Sequence, residues 1–159
     1  MDLGSALLGL GFMAICILPF LWMHFSGANN QKKALQSLKT LAAEHHCNIT
    51  KHESCGDFSI GLDADNQAVF FIKNTAEGAH KKHIDLKQTK VCASRIITKP
   101  VKGSKGVISK VELNFLPKSK QPETTLELYN EDLNDMLNGE PLLAENWCKL
   151  MNQSIQSGH

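Results

Sequence analysis

No catalytic signature runs through this chain. None of the patterns G-x-S-x-G, H-E-x-x-H or G-x-x-x-x-G-K-[ST] occurs in its 159 residues, so a nucleophile elbow, a zincin helix and a P-loop are all missing. No C-x-x-C pair occurs either: Cys16, Cys47, Cys55, Cys92 and Cys148 are scattered. The basic middle of the chain, Lys73 to Lys120, holds Phe115 as its one aromatic residue, which leaves almost nothing for base stacking, so nucleic acid is not an expected partner. No Lys or Arg precedes residue 32. Asp63-Ala64-Asp65-Asn66 resembles a calcium loop for four residues, but the following Gly and the twelfth-position Glu are missing, and a polar turn explains it better.

What is present begins with Ala6 to Phe25, twenty residues without a formal charge. As a helix the run is about 30 Å long, the thickness of a bilayer's hydrocarbon core. A cleaved signal peptide would open with positive charge; this one opens Met1-Asp2-Leu3-Gly4 and offers only Phe25-Ser26-Gly27-Ala28 as a cleavage site. The expectation is one transmembrane anchor over residues 1–27, kinked at Pro19, with Trp22 and His24 near the headgroups. Lys32, Lys33 and Lys39 follow it and no cation precedes it, which places the N-terminus outside and the rest in the cytoplasm. In that compartment the thiols stay free; were the orientation reversed, Cys47 with Cys55 would be the first disulfide to consider.

Charge divides the remainder. From Lys73 to Lys120 there are twelve basic and three acidic residues, net +9; from Gln121 to His159 there are one and seven, net −6. Such asymmetry suggests a charged partner surface.

Periodicity places the elements. Residues 28–46 read as an amphipathic linking helix with Leu35, Leu38, Leu41 and Ala42 on one face. From Cys47 the period falls to 2. Strands are expected near Cys47–Glu53, Asp57–Asp63, Gln67–Lys73, Lys82–Lys87, Lys90–Lys99, Val107–Leu116 and Glu123–Asn130, with Asn74–Lys81 as a loop. Glu131 to Gly139 is expected as a loop folding Leu133, Met136 and Leu137 back onto the core. Pro141 then opens a helix presenting Leu143, Trp147, Leu150 and Met151 on one face, expected to plug an open barrel end. The reading is α+β: an anchor, then a seven-stranded antiparallel sandwich or barrel over 47–156 with a C-terminal capping helix, and a frayed tail at 157–159.

Seven strands followed by an amphipathic helix with Trp147 toward the sheet resemble the pleckstrin-homology-like fold, and the whole chain looks like small single-pass bacterial membrane proteins that carry such domains. The resemblance covers roughly Cys47 to Ile155 and implies a binding module for lipid headgroups, peptides or another subunit. Phosphoinositide-binding members resemble one another in a basic loop between the first two strands. Here that loop is Glu53-Ser54-Cys55-Gly56-Asp57, acidic and without a cation, so phosphoinositide recognition does not transfer.

Two constellations remain. Lys81, Lys82, Lys102, Lys105, Lys118 and Lys120 are expected on loops that could converge into a cationic rim for an anionic membrane or a protein partner; solvated turn lysines are the plainer alternative. His46, Cys47, His52 and Cys55, with His45 beside them, carry zinc-type donors in a spacing that matches no ligand pattern; histidines at a helix end explain them more simply. No cofactor is expected. The chain is therefore expected to be a membrane-tethered, non-enzymatic interaction module, with a metal- or thiol-based redox protein, or a purely structural subunit of a membrane complex, as the alternatives.

Overall fold

The computed structural model describes residues 30–158. The expected anchor, 1–27, lies outside them, and no helix among the described residues is long and apolar enough to cross a membrane. The chain divides into two units, Met1–Gln36 and Ser37–His159. The fold that follows is that of the second.

It is α+β. Helix α1 covers residues 30–44, and its part from Ser37 onward belongs to this unit. Seven strands follow: β1 Lys51–Cys55, β2 Phe58–Asp63, β3 Ala68–Thr75, β4 Gly78–Asp85, β5 Thr89–Lys99, β6 Val107–Pro117 and β7 Thr124–Asn130, then helix α2, Glu140–Ser157. All the pairings are antiparallel. They build two sheets, β1-β2-β3-β4 and β5-β6-β7, and the strands do not close into a barrel. A 3-10 turn at Leu86–Gln88 carries the chain from one sheet to the other. Asp85 caps it, its Oδ1 accepting from Lys87 N at 2.9 Å, so β4 and β5 part instead of pairing.

The core lies between the sheets and under α2. Phe58, Ile60, Leu62, Val69 and Phe71 meet Val111, Leu113, Phe115, Leu126 and Leu128, and α2 adds Leu143, Trp147, Met151 and Ile155. Trp147 is buried, and its indole Nε1 donates to Glu53 Oε2 on β1 at 2.7 Å. That bond satisfies the one polar atom of a side chain otherwise buried for its apolar area.

A second cluster covers the opposite face of the first sheet. Leu38, Leu41 and Ala42 of α1 pack on Ala68, Phe70 and Ile72, flanked by Cys47 and Ile49. This explains why β2 is buried along its whole length and β3 from Ala68 to Lys73: these strands have protein on both faces. Gly61 makes the close approach possible. A Cβ there would sit 2.9 Å from Ile49 Cδ1 and 3.5 Å from Leu38 Cδ1.

Three expectations are corrected. Residues 78–81 are strand, not loop: β4 starts at Gly78 and Thr75 faces it, with Thr75 Oγ1 donating to Gly78 O at 2.9 Å. Gly78 takes φ +132, which lets a tight turn replace the longer loop. Leu133, Met136 and Leu137 do not fold back onto the core; Leu133 is 65 % and Met136 71 % exposed. The core is already filled there by Leu128, Tyr129 and Leu143. Finally α2 plugs no barrel end, since the sheets are open; it lies along β5 and β6 as part of the sandwich.

Candidate interaction surface

The six lysines do not converge. Lys102 and Lys105 sit on the β5–β6 turn, Lys118 and Lys120 on the β6–β7 loop, and these connections leave β6 from opposite ends. Eleven extended residues separate them by about 30 Å. Lys81 and Lys82 lie on β4, not on a loop.

Lys82 has a structural task. Its Nζ donates to Thr125 O on β7 at 2.7 Å. Lys73, buried on β3, reaches Glu127 two residues further along β7, its Nζ lying 3.3 Å from the carbonyl and 3.4 Å from Oε1. The outward carbonyls of β7 are thus occupied by lysines from the facing sheet. A strand edge with its acceptors taken is a poor template for another chain.

The other edge of the three-stranded sheet is β5, and among the described residues no strand pairs with it. A side chain covers it at Cys92: Asn152 of α2 accepts from Cys92 N through Oδ1 and donates to Cys92 O through Nδ2, each at 2.8 Å. Asn152 therefore does for Cys92 what a neighbouring strand would do. Because Cys92 turns its N–H and C=O outward, so do Ser94 and Ile96 by the alternation of an antiparallel ladder. Beyond Asn152 these groups face no strand among the described residues. Around them Ile96, Ile97 and Val91 are exposed beside Lys90 and Arg95. The hairpin tip continues the pattern: Val101 is 46 % and Val107 50 % exposed, flanking Lys102 and Lys105.

The histidine and cysteine candidates also separate. His46 ends the turn after α1 with φ 57, Cys47 donates its thiol to His45 O at 3.4 Å, His52 is exposed on β1, and Cys55 Sγ lies 3.6 Å from Asn138 O. Burial and the nearby carboxylates of Glu140 and Glu53 push the Cys55 thiol up to about 11; burial and Asp63 push Cys47 up. Neither is a ready thiolate donor. Among the described residues no group of three or more His, Cys, Asp or Glu side chains is placed to hold a metal ion.

A pocket of about 160 Å³ opens between β4, the 3-10 turn and the β6–β7 loop, with His83, Asp85, Gln88, Thr89 and Gln121 in its wall. Its two titratable groups are engaged elsewhere. Asp85 caps the turn, and His83 stacks on His45 with ring centroids 4.1 Å apart above Phe70. Burial, and then the neighbouring His45, lower the pKa of His83 against the opposing pull of Asp85.

Sequence reasoning missed the β5 edge. Lysines on β4 and in the loops carried the charge signal, whereas an open edge is a property of strand order, and strand order has no local signature. No protein-family model, no curated protein and no solved structure matches the chain.

Proposed function

We propose that this chain is a non-enzymatic interaction module of pleckstrin-homology-like arrangement, tethered to a membrane by residues 6–25, that takes an extended segment of a protein partner along the outer edge of β5. The supporting observation is the contrast between the two edges of one sheet among the described residues: β7 is capped by Lys73 and Lys82, while on β5 the hydrogen bonds seen are those of Asn152 to Cys92. An added strand gains main-chain hydrogen bonds from Ser94 and Ile96, and its side chains meet exposed apolar and cationic groups, which favours an apolar, acidic segment. The tether stands on length and lack of charge in the sequence.

Ile96→Pro tests the edge. Its N–H points outward, so proline removes a donor the fold does not use and blocks the added strand. Tagged full-length protein is purified from detergent with its co-purifying partners, as wild type and as Ile96→Pro. The partner of the wild type is expected to fall at least tenfold with Ile96→Pro while the circular dichroism spectrum is retained. A partner held equally by both proteins overturns the edge reading.

A second reading has its own support. Val101, Lys102, Lys105 and Val107 form a hairpin tip that is apolar and cationic at once, suited to an anionic leaflet, where each lysine near the surface gains about 1 kcal/mol. On that reading flotation with anionic vesicles drops for Lys102→Glu/Lys105→Glu and with rising salt. Flotation that ignores both changes removes it.

A further inference from the structure

We propose that Cys92 and Cys148 form a reversible disulfide that staples α2 to the edge strand β5. The two cysteines are 56 positions apart in sequence, and nothing in their spacing pairs them. The structure pairs them through a third residue. Asn152 holds the backbone N–H and C=O of Cys92 with two 2.8 Å bonds. Cys148 lies one helical turn before Asn152, on the same face of α2. Its thiol donates to the same Cys92 carbonyl at 3.2 Å, with Asn152 Nδ2 3.6 Å from its sulfur. Three contacts thus converge on Cys92 and set helix against strand at one register.

The Cys148 thiol is thus brought to the backbone of Cys92 itself. Burial pushes the Cys92 thiol up, and the neighbouring Cys148 adds to that shift. Cys47 and Cys55 have other neighbours: the first lies at His45 O and near Asp63, the second at Asn138 O and near Glu140.

The chemistry is thiol–disulfide exchange with a small-molecule disulfide as oxidant. Cys148 is half-buried and is the thiol an oxidant can reach; Cys92 is buried. The Cys148 thiolate attacks one sulfur of the oxidant, forming a mixed disulfide and releasing one thiolate. Cys92 then gives up its proton and attacks Cys148 Sγ. The second half of the oxidant leaves as a thiolate. Two protein thiols are oxidised to one disulfide, and one disulfide is reduced to two thiols. Excess thiol reverses the sequence. Because Cys92 ionises reluctantly, the second step is the slow one and quickens as the pH rises. The oxidised form fastens the middle of α2 to β5; the reduced form leaves it held by hydrogen bonds alone. This inference does not depend on the partner proposed above.

The test uses the purified full-length protein in detergent, incubated with oxidised glutathione at mildly alkaline pH. Free thiols are then blocked with N-ethylmaleimide, and the protein is digested with trypsin without reduction. Peptide 91–95 is expected joined to peptide 121–149, and thiol treatment is expected to separate them. Cys148→Ser, at a half-buried position that tolerates a hydroxyl, is expected to lose the joined peptide and leave Cys92 without a disulfide. The oxidised wild type is expected to melt about 5 °C or more above the reduced protein, as befits closure of a long loop, and Cys148→Ser to show no such gain. Joined peptides that contain Cys47 or Cys55, or glutathione that stays on Cys148 without transfer to Cys92, overturn the proposal.

Discussion

At the scale of single residues, the side chains that looked reactive are the ones the fold restrains. Cys55 carried a donor atom in a His/Cys-rich stretch, yet it sits beside Glu140 and Glu53 with its thiol pushed up to about 11. A thiol pushed up to about 11 holds about a hundredfold less thiolate near neutrality than an ordinary one. Alkylation of Cys55 by iodoacetamide at pH 8 is therefore expected to run about a hundred times slower in the folded protein than in urea. Below that shifted pKa it should rise about tenfold per pH unit. Peptide mass mapping of the alkylated protein against time measures this, and equal folded and unfolded rates would count against the placement. Asp63 shows the opposite control. Burial opposes its charge, but Asn66 N and Nδ2 and Asn48 N donate to it at 3.0, 2.8 and 2.7 Å, and together they lower its pKa. The aspartate that resembled a calcium ligand closes a turn. Its residue type and the turn were both legible in the sequence, because short polar side chains bond their own backbone.

At the scale of elements, periodicity located all seven strands and both helices of the described chain, with ends a few residues off. It could not say which face of a strand met what. Ala68-Val69-Phe70-Phe71-Ile72 is an unbroken apolar run, and only the docking of α1 explains why Phe70 and Ile72 are buried as fully as Val69 and Phe71. Gly61 is the test of that docking. Gly61→Val adds branched bulk against Ile49 and Leu38, and overpacking of this kind costs about 1–3 kcal/mol. Ile49 can yield at its flexible end, so Gly61→Ala is expected to cost less. Hydrogen exchange should show residues 37–44 losing protection in Gly61→Val while β6 keeps its own. Uniform loss across both would mean the helix is not the element displaced. The segment Gly78–Lys81 was misread for a related reason. Its side chains are exposed on an edge strand, so it lacks the apolar alternation by which a half-buried strand is recognised.

At the scale of the molecule, the two sheets are joined at one end by charge. Lys73 from β3 reaches Glu127 on β7 at 3.4 Å and Asp57 at 3.9 Å, while Lys110 on β6 lies 3.7 Å from the same Glu127. Lys73 is buried and its partners are partly exposed, so its loss leaves two carboxylates that water can still reach. Lys73→Met is expected to destabilise the fold by about 1–3 kcal/mol, less than the loss of a partner in a fully buried pair. Urea unfolding followed by tryptophan fluorescence measures it. Unchanged stability would show that the lysine's hydrogen bonds to β7 contribute nothing.

By itself the sequence determined the kinds of element and their order, since these follow from local rules: period 2 against 3.6, turn residues, and Pro141 at a helix start. It also determined the charge division and the uncharged run at 6–25. Tertiary structure decided which strands share a sheet, that the sandwich stays open, and that Cys92 meets Cys148. It also decided that the lysines of the β5–β6 turn and the β6–β7 loop stand at opposite ends of one strand. Each of those depends on contacts between residues far apart in the chain. No short stretch of residues encodes such contacts, because their free energy arises only when whole faces are buried together.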